Sequence, residues 1–216
     1  LNPVGAFHSL KPNSAYTSIG YMGVLAGFLI LSFYGVVGGW TFAYVVKSVT
    51  GSVLSFTSPK EAGVFFGNFI SNTGETLLYH ALFMGLCIAI VLRGVHGGIE
   101  RACEILMPTL VLFLLLLMIR SLTLDGAMEG VGFYLNPDFS KISVNTVLIA
   151  LGQAFFSLSL GMGCMITYGS YLSEKENLIS STVYVVMFDT LIALLVGMVI
   201  FPAVFSMGLE PTEGPS

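Results

Sequence analysis

The stretch Ile142–Ser173 reads ISVNTVLIALGQAFFSLSLGMGCMITYGSYLS, 32 residues without a charge. A helix needs about 20 apolar residues to cross a bilayer, so the run is longer than one crossing requires. Its middle, Phe155-Phe156-Ser157-Leu158-Ser159-Leu160-Gly161-Met162-Gly163, is also unusual in composition. Glycine inside a helix costs about 1 kcal/mol relative to alanine, and Gly161 and Gly163 add that cost twice within three residues. Two readings stand. The small residues can serve close helix packing, as at small-xxx-small interfaces, or they mark a helix broken near residues 157–163. A break leaves carbonyls without donors at the end of the first half and N–H groups without acceptors at the start of the second. Carbonyls at a helix C-terminus attract a cation, and N–H groups at an N-terminus attract a carboxylate. Such a break suits a zwitterionic amino acid and a sodium ion without many charged side chains.

The rest of the chain is equally apolar. Hydrophobic residues make up 55% and charged residues 9%, with a mean hydropathy of +0.90, whereas soluble domains carry about 25% charged residues. This composition excludes a soluble fold. Five long apolar runs predict membrane-spanning helices at about 18–46, 76–92, 102–124, 142–173 and 178–209. They lack the alternation of barrel strands, and an open sheet edge cannot exist in hydrocarbon, so the fold class is an all-α membrane protein. One transmembrane domain over residues 1–216 is expected. The connections are a polar linker, 48–75, with a short helix after Ser58-Pro59; a tight turn, Arg93 to Arg101; a loop containing Asn136-Pro137-Asp138; and a turn, Glu174-Lys175-Glu176. Pro108 and Pro202 are read as kinks.

No signal peptide precedes the first run, because the polar amino-terminal residues lack a short apolar core and cleavage site. A first residue other than Met and a loop-like ending, Glu210 to Ser216, suggest a piece of a longer chain. A net charge of −4 with scattered Lys and Arg gives no footprint for nucleic acid. Cys87, Cys103 and Cys164 have no CxxC spacing and read as free thiols. Positive charge orients the chain weakly. With the Arg93 to Arg101 turn in the cytoplasm, that side collects Lys11, Arg93, Arg101 and Lys175, against Lys47, Lys60, Arg120 and Lys141 opposite.

Apart from Glu104 at the very start of the third run, the carboxylate inside the five runs is Asp189, at a depth where an ionised carboxylate costs about 2.5–3.5 kcal/mol. It is either satisfied by neighbouring hydroxyls such as Thr190 or kept protonated, or it is a cation ligand or charge-compensating group. Sodium suits the oxygen donors nearby better than a transition metal does. Tyr34 sits in the middle of the first run, where its phenol either packs or gives its proton to a substrate carboxylate. His80 and Trp40 read as packing or interface residues.

The run from Gly152 to Gly163, continued by Ile166-Thr167-Tyr168-Gly169-Ser170-Tyr171, resembles the broken sixth helix of the neurotransmitter:sodium symporter family, including its bacterial sodium-dependent amino-acid transporters. Arg93-Gly94, Gly98-Ile99-Glu100-Arg101 and Met107-Pro108-Thr109 resemble that family's connection between the fourth and fifth helices. Asn136-Pro137-Asp138-Phe139 resembles the loop before its sixth. The resemblance covers nearly the whole chain and equates the five runs with helices three to seven. It implies a transporter fold with inverted repeats, a known property of the family, and missing helices as partners.

The resemblance also implies site residues. Ile30, Tyr34, Phe156, Ser159, Gly161 and Met162 would bind the substrate: Tyr34 at its carboxylate, Phe156 as an aromatic lid, Ile30 and Met162 as pocket walls. Ser157 and Asp189 would ligate sodium, Asp189 standing where chloride-dependent relatives have asparagine. Gln153 falls at the outer gate, and Ser170 and Tyr171 at the inner gate. The expected function is sodium-coupled symport of a hydrophobic or aromatic amino acid by alternating access in the lipid bilayer of a bacterial inner or plasma membrane. The alternative is a membrane fragment without transport activity that acts as a packing or assembly unit. No nucleophile with a base, metal cluster or nucleotide loop marks an enzyme.

Overall fold

The structure, a computed structural model, describes residues 2–12, 14–53, 56, 58–173 and 175–211. Its helices are α1 (Pro3–Leu10), α2 (Tyr16–Val49), α3 (Pro59–Ser71), α4 (Thr73–Val91), α5 (Arg101–Leu122), α6 (Ala127–Leu135), α7 (Val144–Ser157), α8 (Cys164–Gly169) and α9 (Leu178–Ser206). A π-helical turn, Val95–Glu100, leads into α5, and a 3-10 turn, Phe139–Lys141, precedes α7. No strand occurs among the described residues. The segments α2, α4, Val95–Leu122 and α9 are each long and apolar enough to cross a membrane. The remaining apolar run gives the shorter helix α7 and, after a break, α8. Much of the helices' apolar surface is exposed within the chain, as lipid or further helices require.

Contacts divide the chain into two units, Phe28–Met107, and Leu1–Gly27 with Pro108–Ser216. In the first, α3 begins where the linker's Ser58-Pro59 predicts: Ser58 caps it by accepting from Glu61 N, with Pro59 in the first turn. Asn72 ends α3 and starts α4, its backbone N–H bonding to Asn68 O and Phe69 O and its side chain accepting from Glu75 N. Thr76 Oγ1 then donates back to Phe69 O. Lys47, near the end of α2, pairs with Glu75 at 2.6 Å and lies 5.1 Å from the ring centres of Phe65 and Phe69. Trp40 and Tyr44 pack edge-on against the aromatic residues of α3. Below this cluster Gly35, Gly38 and Gly39 open one face of α2 to His80, Phe83 and Met84 of α4.

In the second unit α6 lies along the end of α9. Tyr134 stacks on Phe201 with centroids 5.1 Å apart, and its ring covers Gly197. Ser121 of α5 donates to Val199 O at 2.7 Å. That carbonyl adjoins the one that Pro202 leaves without its helical donor. Both Pro108 and Pro202 lie inside continuous helices.

Several boundaries differ from those read off the sequence. The fourth run starts at Val144, after Ser143 and Thr146 form a capping box, and its helical part ends at Gly169. The turn between Arg93 and Arg101 is mostly π-helical, and α9 stops at Ser206, before Gly208 at φ 65°. Helices α1 and α6 occupy segments that hydropathy leaves blank. Of the turn Glu174-Lys175-Glu176, Glu174 lies outside the described residues, as do Leu1 and the end of the chain from 212 on; Glu176 N bonds to Ser173 O at 3.1 Å.

Candidate functional site

The apolar run from Ile142 yields two helices with a gap between them. Helix α7 ends at Ser157, the chain turns through Leu158–Gly163, and α8 begins at Cys164. Ser159, Gly161 and Gly163 have φ of 54°, 79° and 75°. Three left-handed residues within five positions cannot continue a right-handed helix. The last bonds of α7 run from Leu158 N to Ala154 O and from Leu160 N to Phe155 O. Beyond them, the carbonyls of Ser157, Leu158 and Ser159 and the N–H groups of Gly161, Met162 and Gly163 make no backbone hydrogen bond among the described residues. Unpaired backbone groups at membrane depth need partners.

A hydrogen bond ties the end of α7 to α9. Ser157 Oγ donates to Asp189 Oδ1 at 2.6 Å, joining two residues 32 positions apart. The other hydroxyl considered for Asp189 is engaged elsewhere: Thr190 Oγ1 donates to Val186 O within its own helix, and the carboxylate's partner is Ser157. One serine leaves most of a carboxylate's acceptor capacity open. Ser157 and Asp189 therefore offer a hydroxyl oxygen and an anionic oxygen beside carbonyls with free lone pairs. This all-oxygen donor set of one negative charge suits a hard monovalent cation.

The other expected site residues are distributed as follows. Gln153 and Phe156 sit on the last turns of α7, with Gln153 one turn before Ser157, and Ser159, Gly161 and Met162 form the gap itself. Ser170 caps α8, its hydroxyl donating to Thr167 O at 2.7 Å, and Tyr171 continues the turn with its N–H on Tyr168 O. Ile30 and Tyr34 lie one helical turn apart on α2, in the unit Phe28–Met107, where the Tyr34 ring stands edge-on to Phe33 at 6.0 Å between centroids. Among the described residues, Trp40 Nε1 and His80 Nδ1 are buried without a hydrogen-bond partner.

Sequence reasoning missed what lies behind the gap. Pro3 of α1 and Gly23 of α2 approach Gly163 so closely that a Cβ there would meet Pro3 Cγ at 2.8 Å. The readable signal is the spacing Gly20, Gly23, Gly27, which puts small residues on one face of α2.

The sequence profile described as Sodium:neurotransmitter symporter family matches residues 60–212. A sodium-dependent transporter of Bacillus subtilis, YhdH, is 46% identical over 215 residues, covering 100% of this chain and 48% of that protein. A sodium-dependent transporter of Haemophilus influenzae is 44% identical over 202 residues, covering 92% of this chain and 44% of its own length. The chain thus spans about half the length of the curated relatives it matches. Among solved structures, the crystal structure of MhsT in complex with L-phenylalanine superposes with a TM-score of 0.89 at 48% identity, covering 99% of this chain and 48% of that one.

Proposed function

The chain belongs to the sodium:neurotransmitter symporter family, and on that premise we propose that it forms part of a sodium-coupled symporter for hydrophobic or aromatic amino acids working by alternating access. The observation that carries this reading is the bond from Ser157 to Asp189 beside three carbonyls without backbone donors. A serine hydroxyl lowers the cost of a carboxylate at this depth but leaves its charge unbalanced, and a sodium ion balances it. Ser157 Oγ and the Asp189 carboxylate are the sodium ligands, assisted by carbonyl oxygens at the end of α7. Sodium favours the conformation in which these oxygens converge, and the difference in its affinity between conformations is what its gradient converts into movement of a second ligand.

That second ligand is an amino acid. MhsT, at 48% identity to this chain, crystallised in complex with L-phenylalanine, which supports an apolar side chain. Tyr34 and Ser159 serve the polar end of the substrate, Ile30, Phe156 and Met162 its side chain, and the backbone at Gly161 its close approach. Gln153 belongs to the outer gate and Ser170 and Tyr171 to the inner.

The test is uptake of labelled L-phenylalanine by the full-length protein in proteoliposomes, with chloride or gluconate as the anion. Because Asp189 supplies the negative charge, wild-type uptake should require sodium and be indifferent to chloride. Asp189→Asn should weaken apparent sodium affinity at least tenfold, equivalent to about 1.4 kcal/mol. A strict chloride requirement in the wild type, or an unaltered sodium response in the variant, overturns the assignment.

A further inference from the structure

The geometry points to α1 as a clamp on the broken helix, with Pro3, Gly20, Gly23 and Gly163 as positioning residues for the binding segment. This rests on reading the gap between α7 and α8 as that segment. Asn2 caps α1, accepting from Gly5 N at 2.7 Å, so the first turn of α1 is fixed and Pro3 stands at its start, buried. The first turn of α1 lies on α2: a Cβ on Gly20 would fall 2.6 Å from Val4 Cα and 2.9 Å from Pro3 O. Both are backbone atoms that cannot swing aside. Three residues along α2, a Cβ on Gly23 would come within 3.3 Å of Gly163 N and 3.4 Å of Met162 C. Pro3 closes the arrangement, its Cγ and Cβ lying 2.8 and 3.2 Å from where a Gly163 Cβ would be. The start of α1, the first turns of α2 and the last residue of the gap therefore meet almost backbone to backbone, with the proline ring between them.

A cavity of about 150 Å³ borders the same contact, lined by Pro3, Gly23 and Gly163 as well as by Phe7, Ser159 and Gly161. A Cβ on Gly161 would meet nothing within 4 Å. The gap is thus gripped at Gly163 and not at Gly161. Across such close backbone contacts a displacement is transmitted, so helix α1 sets where α8 starts.

Gly161 supplies the control, because it shares the left-handed backbone of Gly163, φ 79° against 75°, without its contacts. Gly161→Ala and Gly163→Ala carry the same backbone penalty, and only the second strikes Pro3. The reporter is Cys164, the first residue of α8, in full-length protein carrying Cys87→Ala and Cys103→Ser. Its alkylation rate by N-ethylmaleimide and the KM for L-phenylalanine uptake are both measured. Gly163→Ala should raise the alkylation rate at least fivefold over Gly161→Ala, and should raise KM above the wild-type value. Pro3→Gly should remove most of that excess when combined with Gly163→Ala and none of the effect of Gly161→Ala. If Gly163→Ala does not fold, Pro3→Gly and Gly20→Ala should each raise the Cys164 rate at least threefold. Equal effects of the two alanines, multiplicative effects of Pro3→Gly and Gly163→Ala, or unchanged rates in Pro3→Gly and Gly20→Ala overturn the clamp. Absence of sodium-dependent uptake in the wild type overturns the transport reading instead, and the alkylation series still decides the clamp.

Discussion

Gly35, Gly38 and Gly39 of α2 and Gly161 and Gly163 of the gap are alike in composition, yet each set does something different. The α2 glycines keep a right-handed helical backbone and give up their side-chain space to His80, Phe83 and Met84 of α4. Those of the gap have positive φ, and a Cβ on Gly161 would meet nothing within 4 Å. The α2 glycines are needed for the absence of a Cβ, Gly161 for the backbone conformation that its absence permits, and Gly163 for both. Spacing separates the two uses. Residues at i, i+3 and i+4 share one helix face and form a groove, whereas residues at i and i+2 point to different sides and cannot form one stripe. Glycine density alone marks a region as special, and its period tells which kind.

Alanine substitutions test this contrast. The largest effect is expected at Gly39, where a Cβ would lie 2.8 Å from both Cα and N of His80. Backbone cannot yield locally, so Gly39→Ala should destabilise by about 3 kcal/mol, the upper part of the overpacking range. Thermal denaturation in detergent, followed by the loss of the monodisperse chromatographic peak, should show a clear fall in midpoint. At Gly161 the penalty is conformational alone, about 1–2 kcal/mol for a left-handed residue. Gly161→Ala should therefore lower the midpoint by less than Gly39→Ala does, and the reverse order would erase the distinction between the two regions. The smallest and opposite effect belongs to Gly63, an exposed residue inside α3 with nothing within 4 Å of a Cβ. Having neither role, it should gain up to about 1 kcal/mol as alanine through helix propensity. A loss there would mean that α3 meets a partner at this face.

Hydropathy located the long helices because lipid demands length and apolarity together, and Ile142–Ser173 betrayed its break by exceeding that length while carrying glycines at a non-helical period. The short helices α1 and α6, 8 and 9 residues long, escaped for the converse reason: they span nothing, and their burial comes from neighbours distant in the chain. The pairing of Ser157 with Asp189 could not be read from spacing, since 32 residues separate them. It was legible through the family resemblance, which sets both residues at one site. The contact of Pro3 with Gly163 had no such guide, because a proline at the first position of a helix reads as local punctuation.

Asn72 serves as the last residue of one helix and the first of the next, and this has a consequence for how the chain can vary in length. Most connections between helices tolerate insertion, because an extra residue bulges into solvent. Here no residue is spare: the one side chain caps α4 while its own N–H closes α3. One inserted residue would turn the following helix by about 100° and advance it by about 1.5 Å. Glu75 would then swing away from Lys47, and His80 would leave the groove at Gly35 and Gly39. Homologous chains should therefore change length in the linker ahead of Ser58 and hold the Asn72 junction to a fixed count.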